Sequence, residues 1–384
     1  MMDEKDRPDR VLLVATLLLV GVGIVMVYSS SVAVAELRYQ TSSFFLKRHV
    51  LRALLGLLAM WVVMKTDYHR WQKLAGLGML ASVFLLLLVL LPRVGLKGSG
   101  TSENLSRRLH LVFVGFQPSE MVKLVVVFYI AKQMDRKNTQ IGEFKKGLLP
   151  TICVVGLSLI LIAFEPDLGT ALVVTMLVFT MFMVVGVRWI HMMGMGAFSA
   201  AATAMMIRCV PYCRRRVLSF LHPDWDPNGA GYQIKQSLIS LGSGGIFGIG
   251  LGNSRQKLLF LPEPHTDFVF SILGEELGFL GAMAILTLFL LVAWRGLRAA
   301  RCAPDRFGFL LGVGITTMIF VNMAVNVAVV TRMCPTTGLT LPFISYGGSS
   351  LLFNLIGVGI LLNLSRQQRS RGSVGRKGSR PCVY

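Results

Sequence analysis

The stretch Leu261-Pro262-Glu263-Pro264-His265-Thr266-Asp267-Phe268 places three ionisable side chains within five residues, in a polar interruption of an otherwise apolar sequence. A carboxylate of this kind can take a proton from an attacking hydroxyl, and an imidazole and a second carboxylate can orient it. Glu263, His265 and Asp267 alternate, so an extended backbone would present all three on one side. Pro262 and Pro264 disfavour a helix and predict an extended, rigid segment. From spacing alone a solvated loop accounts for these charges equally well. His265 with Glu263 offers two ligands to a divalent cation, too few to define a metal site.

The elements that position this stretch are membrane-like. Of 384 residues, 54% are hydrophobic and 15% charged, far from the balance of a soluble domain. A hydrocarbon core about 30 Å thick needs about 20 apolar residues at about 1.5 Å per residue. Uncharged runs of roughly this length cover 11–35, 74–92, 147–164, 168–187, 277–294 and 307–331, and a last span is expected at 346–364, after a loop containing Pro335, Gly338 and Pro342. Weaker candidates are 44–64, which includes Arg48 and Arg52, 118–134 with Lys123, and 189–207. The expectation is an all-α polytopic membrane protein of about ten transmembrane helices, with a large extracytoplasmic loop, about 208–268, between helices 7 and 8.

Lysine and arginine concentrate in alternate connections (Lys65, Arg70, Lys73; Lys132, Arg136, Lys137, Lys145, Lys146; Arg295, Arg298, Arg301, Arg306) and in the tail, which predicts both termini in the cytoplasm. The net charge of +20 then faces anionic lipid and calls for no nucleic acid. Residues 1–366 form the transmembrane domain, and 367–384 read as a basic, disordered tail. The start resembles a secretory signal, with Ala33-Val34-Ala35 as a cleavage site, but its apolar run is too long and further spans follow, so an uncleaved first helix is expected. The six cysteines lack metal or redox spacing; a disulfide between Cys209 and Cys213 is the one pairing left open.

Charges inside spans are costly and find partners. Gln117-Pro118-Ser119-Glu120 reads as a helix start. Lys123, one turn deeper, either pairs with Glu120 at i,i+3 or faces a cavity and pairs with Asp167. Asp167 in turn suits the N-terminal end of the sixth helix. The long loop opens with Arg214-Arg215-Arg216, continues through an amphipathic helical stretch 231–239, and then a glycine-rich run, Gly242 to Gly252, whose amides could meet an anion. Followed by Arg255 and Lys257, this suggests a phosphorylated substrate.

Gly231-Tyr232-Gln233, Ser254-Arg255-Gln256-Lys257-Leu258, the Pro262–Phe268 stretch, Gly274-Glu275-Glu276-Leu277-Gly278 and Pro342-Phe343-Ile344-Ser345-Tyr346-Gly347-Gly348 together resemble the SEDS (shape, elongation, division, sporulation) family of bacteria. The resemblance runs from the first helix to about Arg366. Gly338-Leu339-Thr340-Leu341-Pro342 and Leu221-His222-Pro223-Asp224 favour its division branch over its elongation branch. Leu109 departs from the family's usual tryptophan, and Thr331-Arg332 from its usual apolar pair.

The resemblance implies an inverting peptidoglycan glycosyltransferase that polymerises lipid II at the outer face of the cytoplasmic membrane. It assigns Asp267 as the catalytic residue, here read as the general base, and Glu263, His265, Thr266, Lys123 and Asp167 are expected to support it. Arg107, Arg108, Arg214, Arg215, Arg255 and Lys257 would compensate the diphosphate leaving group. It further implies a class B penicillin-binding protein and other division proteins as partners, alongside membrane lipids, and a septal location. The competing class is a lipid II flippase or ion-coupled transporter, whose sites usually lie near the midplane on broken helices.

Overall fold

In the computed structural model, residues 8–91, 95–97, 106–111, 114–136, 147–226 and 229–372 are described. Among them twelve α-helices run in the order α1 (Arg10–Tyr39), α2 (Phe44–Lys65), α3 (His69–Leu90), α4 (Pro118–Arg136), α5 (Leu149–Phe164), α6 (Leu168–Val185), α7 (Trp189–Cys209), α8 (Pro211–Leu221), α9 (Ala230–Ser243), α10 (Val269–Arg301), α11 (Arg306–Val330) and α12 (Gly348–Gly372). Ten of these helices overlap the ten segments expected from hydropathy, and α8 and α9 fall within 208–268. Seven helices, α1, α3, α6, α7, α10, α11 and α12, are long and apolar enough to cross a membrane. Of the other three, α5 is short, with 16 residues, and α2 and α4 carry several charges. The chain is a multi-pass helical membrane protein.

One departure from an all-α fold is a small antiparallel sheet before α4, ordered β1 (Gly95–Lys97), β2 (Ser106–Leu111), β3 (Val114–Phe116). Helix α12 continues through Gly372, and 373–384 lie outside the described residues. The helix persists because Gln367 reaches Asp67 and Asn363, which tethers the turn beyond the apolar run.

Helices α11 and α12 are mostly buried and form the centre, while α7 is almost wholly exposed at the periphery. Helix α12 lies along α2, where a side chain at Gly359 would strike the backbone of Met60. At the expected cytoplasmic end, Asp9 caps α1 and pairs with Arg295 of α10, and its amide donates to Ser365 of α12. These contacts close one end of the bundle, leaving the site to be built at the other.

Helix α10 is 33 residues long and is broken at Gly278 (φ 69°, ψ −170°). The break frees backbone groups that a membrane-level helix cannot leave unpaired. The glycine-rich run supplies partners on both sides of it. The amides of Ile249 and Gly250 donate to the carbonyls of Glu275 and Glu276, and those of Phe279 and Leu280 donate to the carbonyls of Gly245 and Ile246. Only glycine fits here, because a Cβ on Gly248 or Gly278 would collide with the facing backbone.

Candidate active site

The stretch 261–268 is not extended. It is a chain of turns in which Glu263 adopts a left-handed φ of 51° and the amide of Thr266 donates back to the carbonyl of Glu263 (3.3 Å). The prolines exclude helix, but the chain must also reverse to enter α10, and its carbonyls find partners only in the folded-back form. Consequently Glu263 and His265 diverge: Glu263 is exposed and His265 buried, with Thr266 and Asp267 partly exposed. The amide of Tyr346 donates to the carbonyl of His265 (2.9 Å), and the side chain of Asn326 donates to the carbonyl of Asp267 (2.9 Å).

Asn326 also donates to the carbonyl of Leu339 (2.7 Å), which draws the 336–341 segment against the stretch. At Gly338 (φ 78°) a Cβ would stand 3.5 Å from Oδ2 of Asp267 and 3.7 and 3.8 Å from two guanidinium nitrogens of Arg216. The acid and the cation thus face the same bare patch of backbone. Arg216 is held there by donating to the carbonyl of Thr336 (2.9 Å) and by lying over the ring of Tyr212 (4.5 Å), one turn earlier on α8. A partly exposed carboxylate beside a fixed guanidinium can accept a proton while an anion is held within reach.

The 336–341 segment also meets the N-terminus of α6, since a Cβ on Gly169 would press on Leu339 and Thr337. Asp167 caps that helix through the amide of Thr170 (3.1 Å) and accepts from the side chains of Thr170 and Gln117. Lys123 does not reach Asp167. It is buried against Glu120 (2.8 Å) and Asn322 (3.1 Å), because the i,i+3 carboxylate is the nearer partner on the same face. Lys123 and Asp167 therefore belong to separate buried polar clusters.

Of the remaining expected cations, Arg214 and Arg215 are exposed on α8 and Arg255 is exposed on the loop. Arg107 and Arg108 lie on β2, and their side chains are outside the described residues. Lys257 is not presented to a substrate. It is buried and donates to Glu276 (2.9 Å), Ser29 (3.1 Å) and the carbonyl of Gly252 (2.6 Å). Glu275 beside it accepts from Ser240, Ser254 and the amide of Arg255. This network fastens the loop to α1, α9 and α10.

His265 packs on the rings of Phe45 (4.6 Å) and Tyr346 (5.6 Å), and its Nδ1 is buried without a hydrogen bond. Burial pushes the imidazole below its ordinary value of 6.5; Glu263 opposes this and Arg38 adds to it. Among the described residues no three His, Cys, Asp or Glu converge on a metal site. Cys209 and Cys213 are not joined in a disulfide, and Cys213 is buried.

Three site residues escaped the sequence reading. Arg216 was one of three adjacent arginines, and its helical spacing from Tyr212 was the available signal. Asn322 and Asn326 stand i,i+4 in an apolar run, and paired amides inside a span carry the same message as a charge.

A polytopic helical bundle with an acid and a cation converging under a large connection is the class that fold and site define. The FtsW/RodA/SpoVE cell cycle protein family matches residues 9–370, and the chain belongs to it. It is 42% identical to stage V sporulation protein E of Bacillus subtilis over 96% of this chain and 100% of that protein. It is 40% identical to a probable peptidoglycan glycosyltransferase FtsW of a Geobacter species over 94% and 97% of the two chains. Its fold matches a chain from a study of polymerisation and crosslinking by a peptidoglycan synthase complex, with a TM-score of 0.75, 30% identity and coverage of 94% and 98%.

Proposed function

We propose that this protein is a peptidoglycan glycosyltransferase that polymerises lipid II at the outer face of the cytoplasmic membrane, with Asp267 as general base. The observation that carries this is the placement of the Asp267 carboxylate and the Arg216 guanidinium at the same bare glycine. In the reaction, the acceptor sugar hydroxyl attacks the anomeric carbon of the donor. Its proton passes to the Asp267 carboxylate as the bond from that carbon to the diphosphate oxygen breaks, and the diphosphate leaves with the bonding pair. Arg216 supplies charge to the leaving group, and Asp267 afterwards releases its proton to water. The α-linked donor yields a β-linked product, so the transfer inverts configuration and needs no covalent enzyme intermediate.

Family membership and the FtsW-named relatives support this activity, and the same likenesses support a class B penicillin-binding protein as partner and action at the septum. The similarity to a sporulation protein makes septal synthesis during sporulation the nearest variant of this role. A topology with both termini cytoplasmic follows from the charge distribution. It requires Asp224→Cys, on an exposed turn, to react with an impermeant thiol reagent from outside, where the buried Cys213 cannot report.

The test is purified protein with labelled lipid II in detergent, with and without the partner. Glycan strands form, and Asp267→Asn lowers their rate at least about a hundredfold while leaving expression and unfolding temperature near wild type. One observation favours transport instead, namely the break in α10 beside the buried Lys257 and Glu276. A transporter would move lipid II across vesicles yet make no glycan in detergent.

A further inference from the structure

The outward side of the loop that fills the break in α10 is apolar. Phe247 is 81% exposed, and Ile246, Leu251, Leu258, Leu259 and Phe260 are each more than half exposed. Between Gly244 and Pro262 the sequence holds no acidic residue, Lys257 is buried in its ion pair, and Arg255 is the one exposed charge. Six large apolar side chains exposed within one loop are unusual and mark an interaction surface.

Two observations say what covers it. First, the patch is continuous with the outward face of α10: Gly245 and Ile246 accept hydrogen bonds from Phe279 and Leu280, which are themselves exposed and open an uncharged run that continues to Trp294. The run from Gly278 to Arg295, about 17 residues, rises about 26 Å, against about 30 Å of hydrocarbon. With Arg295 at the inner boundary, Gly278 and the loop beside it stand at the outer boundary of the core. Second, the loop is fastened to the helix at that depth, since the amides of Ile249 and Gly250 and the carbonyls of Gly245 and Ile246 pair with the backbone of the broken helix.

We infer that residues 246–260 form a re-entrant element whose side chains Phe247, Leu251, Leu258 and Phe260 insert among the acyl chains of the outer leaflet. The loop is then a membrane anchor rather than an aqueous lid. Leu259, held at a left-handed φ of 70°, and Ile239 of α9 are also more than half exposed. The exposed Arg255 carries the charge that anionic head groups attract. Anchored in this way, the element fixes the height of Asp267 relative to the membrane, where a lipid-linked diphosphate would lie.

The experiment places an environment-sensitive fluorophore on Phe247→Cys and, separately, Leu258→Cys in the full chain, with native cysteines replaced. The proteins are reconstituted into vesicles of phosphatidylethanolamine and phosphatidylglycerol with brominated acyl chains. Leu290→Cys, on the exposed face of α10, and Asp224→Cys provide the lipid and water references. The expected result is quenching by bromine at both loop positions about threefold or more above that at Asp224→Cys, with iodide quenching lower by a similar factor. Iodide quenching equal to that at Asp224→Cys overturns the assignment. Protection from both quenchers also overturns it, because protein would then cover the patch. Two loop positions keep the result readable if one variant fails to fold.

Discussion

Asn322 and Asn326, one turn apart on α11, hold the two halves of the site. Asn322 accepts from the ammonium of the buried Lys123, and Asn326 donates to the carbonyls of both Asp267 and Leu339. One helix face therefore sets the register between the Lys123–Glu120 pair and the backbone that carries the proposed base. Asn326 positions Asp267 through its main-chain carbonyl.

Asn326→Leu removes the donor while keeping the volume, and strands two carbonyls. Each costs about 1–3 kcal/mol when left unsatisfied. The expected outcome is a lowered unfolding temperature in detergent together with a loss of polymerisation that persists well below that temperature. Full activity at low temperature would show that Asn326 serves stability alone.

Arg216→Gln should lower the rate of glycan formation by about tenfold to a hundredfold, as loss of a charge-stabilising donor does. Arg214→Gln, on the exposed side of α8, should leave it nearly unchanged. Arg216→Lys should not restore activity, since an ammonium lacks the fork that bonds the Thr336 carbonyl while facing Gly338. Rates measured at fixed lipid composition separate these variants.

Lys257→Met leaves Glu276 buried without its cation, a change that typically costs about 3–5 kcal/mol. Unfolding temperature should fall sharply, and the double variant Lys257→Met with Glu276→Gln should recover part of the loss. A substrate-binding lysine would behave differently: activity would fall with stability unchanged.

Burial holds the His265 imidazole neutral in the folded protein, below its ordinary value of 6.5. The unfolded chain therefore binds the extra proton first as pH falls. Stability from this site is complete above about pH 6.5 and declines as pH drops below it toward the depressed folded value. Thermal unfolding between pH 7.5 and 5 should show this decline in wild type and a shallower one in His265→Gln.

Much of the bundle was legible because a span needs only length and apolarity, properties of the local sequence. The seven helices long and apolar enough to cross a membrane stand where hydropathy places them, and α9 was visible in its periodicity. What escaped depends on contacts distant in sequence. The break at Gly278 hides inside an apolar run, since nothing local announces that Gly245 and Ile246 will take over its hydrogen bonds. Lys257 reads as a substrate cation until Glu276 and Ser29 converge on it, and the Pro262–Asp267 stretch reads as extended until Asn326 and Tyr346 claim its carbonyls. Asp267 was legible as a candidate by residue type, whereas Arg216 required knowing that residues 216, 267 and 338 meet.

The wall formed by Thr336 to Leu341 has a consequence for biosynthesis. Asp267 emerges from the ribosome early, together with the loop whose backbone pairs with the nearby break in α10. Gly338 and the carbonyls that seat Arg216 and Asn326 are translated some 70 residues after Asp267. A nascent chain released before that point would carry the acid and its loop, yet lack Gly338 and the carbonyls that seat Arg216 and Asn326. Completion of the site is thereby reserved for a chain whose insertion is almost finished.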